Sequence, residues 1–290
     1  MNKPLIIVTG TNGQLGWSLQ KLLAAYNQYN FLFVTREQLD LSKPETIAAF
    51  IQQHQPKYFI NCAAYTAVDK AETEQELALQ INATSVGEMA KVCAAIGAFF
   101  ITISTDYVFD GNGTSPYKTN HPTNPINYYG YSKWLGEKLA LENNPETIII
   151  RTSWVYSEHG NNFVKTMLRL MKERTAINVV SDQIGCPTYA PDLAKAIMQI
   201  VEQLPDNKHS GIYHFSNTGN ISWHTFAATI KEFAEFSCTV NAIPTSAFPT
   251  PAKRPVYSVM DTTAIAKDFS ITITDWKESL KICIDNLMHV

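Results

Sequence analysis

Residues 5–16 read LIIVTGTNGQLG, a short apolar run that passes directly into three glycines spaced three residues apart. A glycine at Gly10 permits a tight turn, Gly13 lets the backbone approach a pyrophosphate, and Gly16 lets a helix pack closely on the strand. The first N–H groups of such a helix are free to bind phosphates. The spacing is G-x-x-G-x-x-G rather than the more common G-x-G-x-x-G, and on its own it could mark a mere turn. At the first strand–helix junction of an alternating chain, it predicts a dinucleotide-binding loop.

Outward from this loop, the first half of the chain alternates apolar strands with amphipathic helices. The predicted strands are residues 5–9, 31–35, 58–61, 99–104 and 147–151. The predicted helices are residues 14–26, 44–53, 74–96 and 128–142. Repeated strand–helix–strand order predicts a parallel sheet with helices on both faces. Continuously apolar strands are expected when both faces of a sheet are covered.

After Arg151 this alternation breaks down. Helices are predicted at 163–172, 192–204, 222–236 and 279–288, a strand and turn at 179–187, a strand at 211–216 that could rejoin the sheet, and a proline-rich loop at 243–255. The predicted fold is α/β: a Rossmann-type doubly wound parallel sheet with a smaller C-terminal α/β substrate-binding domain. Residues 1–154 plus about 188–216 are assigned to the dinucleotide-binding domain, and about 155–187 plus 217–290 to the substrate domain.

Composition excludes several classes of protein. With 45% hydrophobic residues among 290, the chain can form a substantial core and is not disordered. A net charge of −3 with scattered Lys and Arg gives no footprint for nucleic acid. Because no apolar run reaches about 18 residues and no cleavage site follows the first one, neither a membrane span nor a signal peptide is expected. The cysteines are odd in number and far apart, which favours free thiols in the cytoplasm over disulfides or a metal site: Cys62, Cys93, Cys186, Cys238 and Cys283.

The end of the second predicted strand bears on the choice of dinucleotide. NAD sites usually have an acidic residue there for the ribose 2′-OH, whereas an arginine favours the 2′-phosphate of NADP. Val34 and Thr35 are not acidic and Arg36 follows them, so NADPH is favoured over NADH, although Arg36 could also be an ordinary solvated charge. Asp40 and Leu41 could bracket the adenine.

Tyr129 and Lys133 are the candidate catalytic pair. Four residues apart on a predicted helix, they share one face and can address one site. Tyrosine titrates near ~10, and a neighbouring Lys cation is expected to lower this pKa, giving a general acid for a carbonyl oxygen. Thr105 ends an apolar strand at the edge where ligands bind in open α/β sheets. Surface Tyr and Lys side chains, and a Thr that caps a turn, are the alternatives.

On these residues the chain resembles the extended short-chain dehydrogenase/reductase superfamily and, within it, the dTDP-4-dehydrorhamnose reductases. The resemblance covers essentially the whole chain. It is carried by these strings: GTNGQLGWSLQ (10–20), NCAAYTAVDKAE (61–72), NATSV (82–86), STDYVFDG (104–111), YYGYSKWLGEK (128–138), RTSWVY (151–156), GNNFVKTMLRLMKE (160–173), DQIGCPTYA (182–190) and AFPTPAKRPVYSVMD (247–261).

The resemblance implies an NAD(P)H-dependent oxidoreductase of dTDP-rhamnose and cell-surface polysaccharide biosynthesis that reduces the C4 carbonyl of a nucleotide sugar. Tyr129 would donate the proton, Lys133 would activate it and hold the nicotinamide ribose, and Thr105 would be the third catalytic member. The implied cofactor contacts are Gly10, Gly13, Gln14, Leu15, Gly16, Arg36, Asp40, Leu41, Ala63, Ala64, Tyr65, Thr66, Tyr129 and Lys133. The implied substrate contacts are Val68, Thr105, Asp106, Tyr107, Trp154 and Arg254.

Two departures from the family pattern limit what the resemblance implies. Some members dimerise through a metal held by carboxylates, and the matching positions here are Ser18 and Pro191, so we expect a monomer or a metal-independent dimer. Tyr257 stands where the family often has Asn, which weakens the transfer of detailed contacts in that loop.

Two rival functions stay open. A sister epimerase or 4,6-dehydratase is the first, but dehydratases need a carboxylate directly after the Thr-Asp pair, and this chain has Tyr107 there. The second is a non-catalytic dinucleotide-binding regulatory subunit, because a fold does not determine a function. The intact set of Thr105, Tyr129 and Lys133 favours catalysis.

Overall fold

Residues 3–206 and 209–288 are described by the computed structural model. Its strands are β1 (Leu5–Thr9), β2 (Asn30–Val34), β3 (Tyr58–Asn61), β4 (Phe99–Thr105), β5 (Ile148–Thr152), β6 (Val155–Tyr156), β7 (Ala176–Val180), β8 (Ile184–Gly185), β9 (Thr188–Tyr189), β10 (Gly211–His214), β11 (Ile221–Ser222) and β12 (Thr239–Ile243). Its helices are α1 (Gln14–Gln20), α2 (Ile47–His54), α3 (Gln75–Leu79), α4 (Ser85–Ile96), α5 (Tyr128–Asn143), α6 (Phe163–Glu173), α7 (Ala190–Gln203), α8 (Trp223–Phe233), α9 (Thr263–Asp268) and α10 (Trp276–Met288).

The main sheet has the order β10-β5-β4-β3-β1-β2, and all its strand pairs are parallel. Alternate residues of β1 bury themselves on opposite faces: Ile6 and Val8 pack with α1 and α7, and Ile7 packs with α2 and α4. Helices therefore cover both faces, which explains why the strands are apolar throughout. The predicted α/β fold with a doubly wound parallel sheet is confirmed.

The order of the sheet also locates the binding crevice. β1 lies between β2 and β3, so the chain leaves it in one direction and later returns on the other side. Ligands of open α/β sheets bind at such a reversal, outside the carboxyl ends of the strands. The glycine loop follows the carboxyl end of β1.

A second hydrophobic cluster forms the smaller half of the molecule, built around α6, α8, α10 and the parallel pair β7–β12. The predicted return of the chain is confirmed, because β10 pairs in parallel with β5. The proposed domain boundaries stay a prediction, and residues 1–2, 207–208 and 289–290 of those domains lie outside the described residues.

Several predicted elements differ in detail. The strand and turn expected at 179–187 are instead β7 and the short β8, and the sequence reading missed both β12 and α9. The long helix predicted over 74–96 is divided by a π-helical segment, Gln80–Thr84. Within the described ranges, no helix combines the length and apolarity that crossing a lipid bilayer requires.

Candidate active site

Two cavities open at the carboxyl ends of the sheet strands, and both include Gly10, Gly13, Ala63 and Ala64 in their walls. The larger has a volume of about 630 Å³ and the smaller about 200 Å³. The further predicted residues in the larger cavity are Gln14, Leu15, Thr66, Val68, Thr105, Asp106, Tyr107, Tyr129, Lys133 and Trp154. The further predicted residues in the smaller cavity are Arg36, Asp40 and Leu41. One continuous groove thus contains most of the predicted site.

The glycine loop leaves no room for side chains at two of its positions. Gly10 has φ +71°, and a Cβ there would lie 2.6 Å from the Ala63 nitrogen. A Cβ on Gly16 would lie 2.4 Å from the Gly10 carbonyl oxygen. Gly13 precedes α1 without any side chain that caps the helix, so the first-turn N–H groups remain available beside the cavity. This backbone cradle fits the diphosphate of a dinucleotide.

The smaller cavity contains the residues predicted to select the cofactor. The Arg36 Nε lies 3.4 Å from Asp40 Oδ1, and the Arg36 side chain is 70% exposed. Hydrogen bonds from the backbone and hydroxyl of Ser42 hold the pKa of Asp40 below its ordinary value. Because the Arg36 guanidinium is solvated and weakly held, it can turn to a 2′-phosphate at this end of the groove.

The three candidate catalytic residues come from a strand end and a helix start. Thr105 is the last residue of β4, and Tyr129 and Lys133 lie in the first turns of α5. The side-chain oxygen of Asn127 accepts a hydrogen bond from the Gly130 N–H at 2.8 Å and so fixes the start of α5. The Lys133 Nζ donates to the carbonyl oxygen of Ile103 in β4 at 2.7 Å. The three side chains line the same cavity as the glycine loop.

The pKa shifts in this cluster correct one expectation. Burial raises the pKa of Tyr129 to about 12, with a further rise from Asp106 and an opposing effect of Thr105. The helical spacing had predicted that Lys133 would lower the pKa of Tyr129, and this is not what the structure gives. Burial of Lys133 instead lowers the pKa of Lys133 itself to about 8, against the opposing effect of Glu137. The prediction was wrong because burial penalises both charged forms more than the pair compensates. A neutral Tyr129 is nevertheless the form that can donate a proton.

Beside these residues, Asp106 and Trp154 form the part of the cavity predicted to hold the substrate. Asp106 is buried, and burial raises the pKa of its carboxyl to about 6. Trp154 has φ +48°, a left-handed conformation rare for a bulky residue. Its ring stacks on Trp223 with centroids 3.5 Å apart, and a Cβ on Gly185 would lie 2.7 Å from that ring. Strained backbone of this kind persists where the surroundings enforce it, often at ligand sites.

Three predicted contacts lie outside the residues that line these cavities: Gly16, which packs against the Gly10 carbonyl, Tyr65 and Arg254. The Tyr65 hydroxyl donates to Glu74 Oε2 at 2.9 Å. Arg254 forms an ion pair with Asp69, with Nη2 2.8 Å from Oδ2. The side chains of Tyr65 and Arg254 are therefore committed to protein partners, and any role of these three residues in binding stays a prediction.

The sequence did not predict some residues that belong to the site. The Asn82 side chain, in the π-helical segment, accepts from the Tyr65 N–H at 2.8 Å and donates to the Tyr65 carbonyl at 3.0 Å, which holds the backbone next to the cavity. Gly160 and Asn161 also line the larger cavity. The only signal for them was a Gly-Asn-Asn run before an amphipathic helix.

Comparison with known proteins gives consistent results. The family model described as the RmlD substrate binding domain matches residues 3–289. A dTDP-4-dehydrorhamnose reductase of Burkholderia thailandensis is 39% identical over 298 residues, with 98% of this chain and 99% of that protein covered.

Solved structures agree with this match. A crystal structure of a dTDP-4-dehydrorhamnose reductase from Clostridium acetobutylicum has a TM-score of 0.93 at 38% identity and covers 98% of this chain and 99% of that one. The reductase of Bacillus anthracis, solved in complex with NADP, has a TM-score of 0.92 at 39% identity and covers 98% and 100%.

Proposed function

The chain belongs to the dTDP-4-dehydrorhamnose reductase family, and from this membership we propose that it reduces the C4 carbonyl of dTDP-4-dehydro-L-rhamnose to dTDP-L-rhamnose with NADPH, or with NADH. The observation that carries the proposal is the shared cavity. Thr105, Tyr129 and Lys133 line the same walls as Gly10 and Gly13. A proton donor therefore lies beside a dinucleotide cradle, as carbonyl reduction requires.

The cofactor half of the proposal rests on the groove. The N–H groups that follow Gly13 bind the diphosphate, Arg36 and Asp40 border the adenosine end, and the nicotinamide end lies toward Tyr129 and Lys133. A bound reduced nicotinamide supplies the hydride for C4 of the sugar. The solvated Arg36 favours NADPH as the preferred donor.

Tyr129 gives its hydroxyl proton to the carbonyl oxygen as the carbonyl carbon gains hydride, and the resulting phenolate regains a proton from water. With a pKa of about 12, Tyr129 holds this proton throughout the neutral range. The Thr105 hydroxyl binds the same oxygen and steadies its developing charge. The Lys133 ammonium, held by the Ile103 carbonyl, would hold the nicotinamide ribose beside Tyr129.

Reduction is favoured over elimination of water because the residue after Asp106 is Tyr107. Burial raises the pKa of Tyr107 well above its ordinary value, and its ring packs edge-on to Tyr129 with centroids 5.6 Å apart. A phenol whose pKa is raised in this way stays protonated near neutrality and cannot replace the carboxylate base of a dehydratase.

The direct test follows NADPH oxidation when the purified protein is given dTDP-4-dehydro-L-rhamnose. The substrate is made in the same vessel from dTDP-glucose by the preceding dehydratase and epimerase, and NMR identifies the product. We expect dTDP-L-rhamnose, and Tyr129→Phe should lower kcat roughly 100- to 10,000-fold because the proton donor is lost. Binding of NADPH without sugar-dependent oxidation, unaffected by Tyr129→Phe, would instead establish a regulatory subunit.

We further propose a cytoplasmic monomer, or a dimer that needs no metal. Ser18 is buried, and its hydroxyl donates to the Gln14 carbonyl at 2.8 Å, while Pro191 lies in the first turn of α7. Neither can offer a carboxylate to a shared ion. Sedimentation with and without EDTA should therefore give the same mass, and a dimer that appears only with magnesium would refute this.

A further inference from the structure

Residues 157–161, called the strap below, border the dinucleotide groove: Gly160 and Asn161 line the larger cavity, and His159 contacts Asn12 of the glycine loop. They connect β6 to α6 and so leave the smaller half, pass the glycine loop and return. Gly160 lies close to Gln14, since a Cβ built on it would be 3.6 Å from the Gln14 Cγ. Neither composition nor family resemblance had given the strap a role.

The strap is fixed to the smaller half at both its ends. Asn162 caps α6 by accepting from the Lys165 N–H at 3.1 Å, and its amide donates to the Ser157 carbonyl at 2.7 Å. The Glu158 carboxylate accepts from the Tyr189 hydroxyl and, at 2.9 Å, from the Asn286 amide. Because these partners lie in the smaller half or border it, the strap has to move with that half.

The side chain of Gln14 joins the end of the glycine loop to Ser157 of the strap and to the residues that flank the strap, Val155 and Asn162. Its Nε2 donates to the Val155 carbonyl at 3.0 Å, and its Oε1 lies 3.1 Å from the Ser157 hydroxyl and 2.9 Å from the Asn162 amide. Three contacts from one amide join segments 141 to 148 residues apart in the chain.

A second contact joins the same two segments. A ring nitrogen of His159 lies 3.0 Å from the Asn12 carbonyl oxygen. The His159 ring stacks on Trp17 of α1 with centroids 5.2 Å apart and planes 5° apart. The strap therefore touches both the loop that cradles the diphosphate and the helix that follows it.

Gln14 occupies the point where the cofactor and substrate sites meet. Its backbone N–H belongs to the first turn of α1, beside the cavity, while its side chain holds Val155. Val155 directly follows Trp154, which lines the same cavity. A displacement of Val155 would accordingly be transmitted to the Trp154 ring.

We propose that Gln14 is a positioning residue that holds the strap closed across the dinucleotide groove, so that the strap slows release of the bound dinucleotide and keeps Trp154 in place for the sugar. This inference rests on the proposed function in assigning the groove to NADPH. It goes further in giving the smaller half a part in cofactor retention.

The test compares two full-length variants of the same helix with the unaltered protein. Gln14→Leu removes all three amide contacts and keeps the bulk of the side chain. Gln20→Leu is the matched control, because its amide donates to the Thr11 carbonyl at 3.0 Å, within the loop, and makes no contact with the strap. Stopped-flow fluorescence measures the rate at which NADPH leaves each protein, and urea unfolding monitors the stability of each.

In Gln14→Leu we expect NADPH release to be roughly tenfold faster and the KM for the dTDP sugar to rise severalfold, with kcat changed little. Gln20→Leu should keep the release rate of the unaltered protein at a similar unfolding midpoint. Equal release rates for the two variants would overturn the inference. If the unaltered protein binds NADPH but reduces no sugar, the proposed function fails, while the release rates still decide the role of Gln14; absence of NADPH binding refutes both.

Discussion

Two arginine–carboxylate pairs flank the catalytic residues, and they have similar chemistry in opposite surroundings. Arg151 and Glu137 lie beneath the site, with side chains 2% and 4% exposed and Nη2 2.6 Å from Oε2. Arg254 and Asp69 lie at its rim, 20% and 40% exposed and 2.8 Å apart. The two ion pairs therefore have similar N–O distances, but the rim pair is much more exposed to water than the lower pair.

The lower pair is completed by further hydrogen bonds. The Arg151 Nε donates to Glu137 Oε1 at 2.8 Å, and the Ser104 hydroxyl donates to the same oxygen at 2.5 Å. In the low dielectric of the interior, such a pair is destabilising to break but contributes little beyond what an apolar pair would. At the rim, water competes for both charges, so the bond can be exchanged for another anion. The lower pair is therefore held in place by the interior, whereas the rim pair can be broken at little cost.

Removal of Glu137 should have the largest effect on stability. Glu137→Ala leaves the buried Arg151 guanidinium without its counter-ion, and we expect a loss of roughly 3–5 kcal/mol in the free energy of unfolding. Asp69→Ala at the rim should cost less than about 1 kcal/mol. Urea unfolding of both variants measures the difference.

A double replacement serves as the control for this comparison. Glu137→Met combined with Arg151→Met removes both charges at similar volume, and it should be more stable than Glu137→Ala alone. The contrast between the pairs fails if Glu137→Ala costs no more than Asp69→Ala.

Arg254→Ala should act on binding rather than on stability. If Arg254 leaves Asp69 for the diphosphate of the nucleotide sugar, its loss removes a charge-assisted contact, and KM for the sugar should rise roughly tenfold with kcat nearly unchanged. Asp69→Asn, which frees Arg254, is the matched control and should not raise KM. Steady-state kinetics at saturating NADPH measure KM for the sugar. An unaltered KM in Arg254→Ala would show that Arg254 forms only its ion pair with Asp69 and does not contact the substrate.

The difference between buried and exposed regions also explains how much of the fold could be predicted from the sequence. The inner strands of the main sheet are buried on both faces, so their apolar runs predict them to within about a residue, whereas the edge strand β10 ends two residues before its predicted end. β12 was missed because it lies in a two-stranded sheet with its side chains exposed or half-buried, and TVNAI has no apolar run. The π-helical segment could not be predicted from the sequence, because the Asn82 side chain in it bonds to the backbone of Tyr65, which lies 17 residues earlier.

Within the site, the features that depend on residues close together in the sequence were predicted, and those that depend on contacts between distant segments were missed. The glycine loop and the Tyr129–Lys133 pair each lie within one short segment, so the sequence alone predicts that each could belong to a binding or catalytic site. Asp69 and Arg254 are 185 residues apart in the chain, and no local pattern could have joined them. The sign of the Tyr129 pKa shift was wrong for the same reason, since burial depends on the completed fold.

The smallest expected effect is on the pH profile, and it again distinguishes the lower pair from the rim pair. The pKa of Lys133 is lowered to about 8 by burial, so its charge is lost as pH rises through that value, whereas Tyr129 stays protonated to about 12. If the reaction needs the Lys133 cation, kcat/KM should fall above about pH 8, and Tyr129 should not limit it there. Glu137 favours the cation, so Glu137→Gln should move this fall to lower pH, while Arg254→Ala should lower kcat/KM at every pH and leave the position of the fall unchanged. A fall that moves in Arg254→Ala, or stays in place in Glu137→Gln, would show that the buried pair does not set the charge of Lys133.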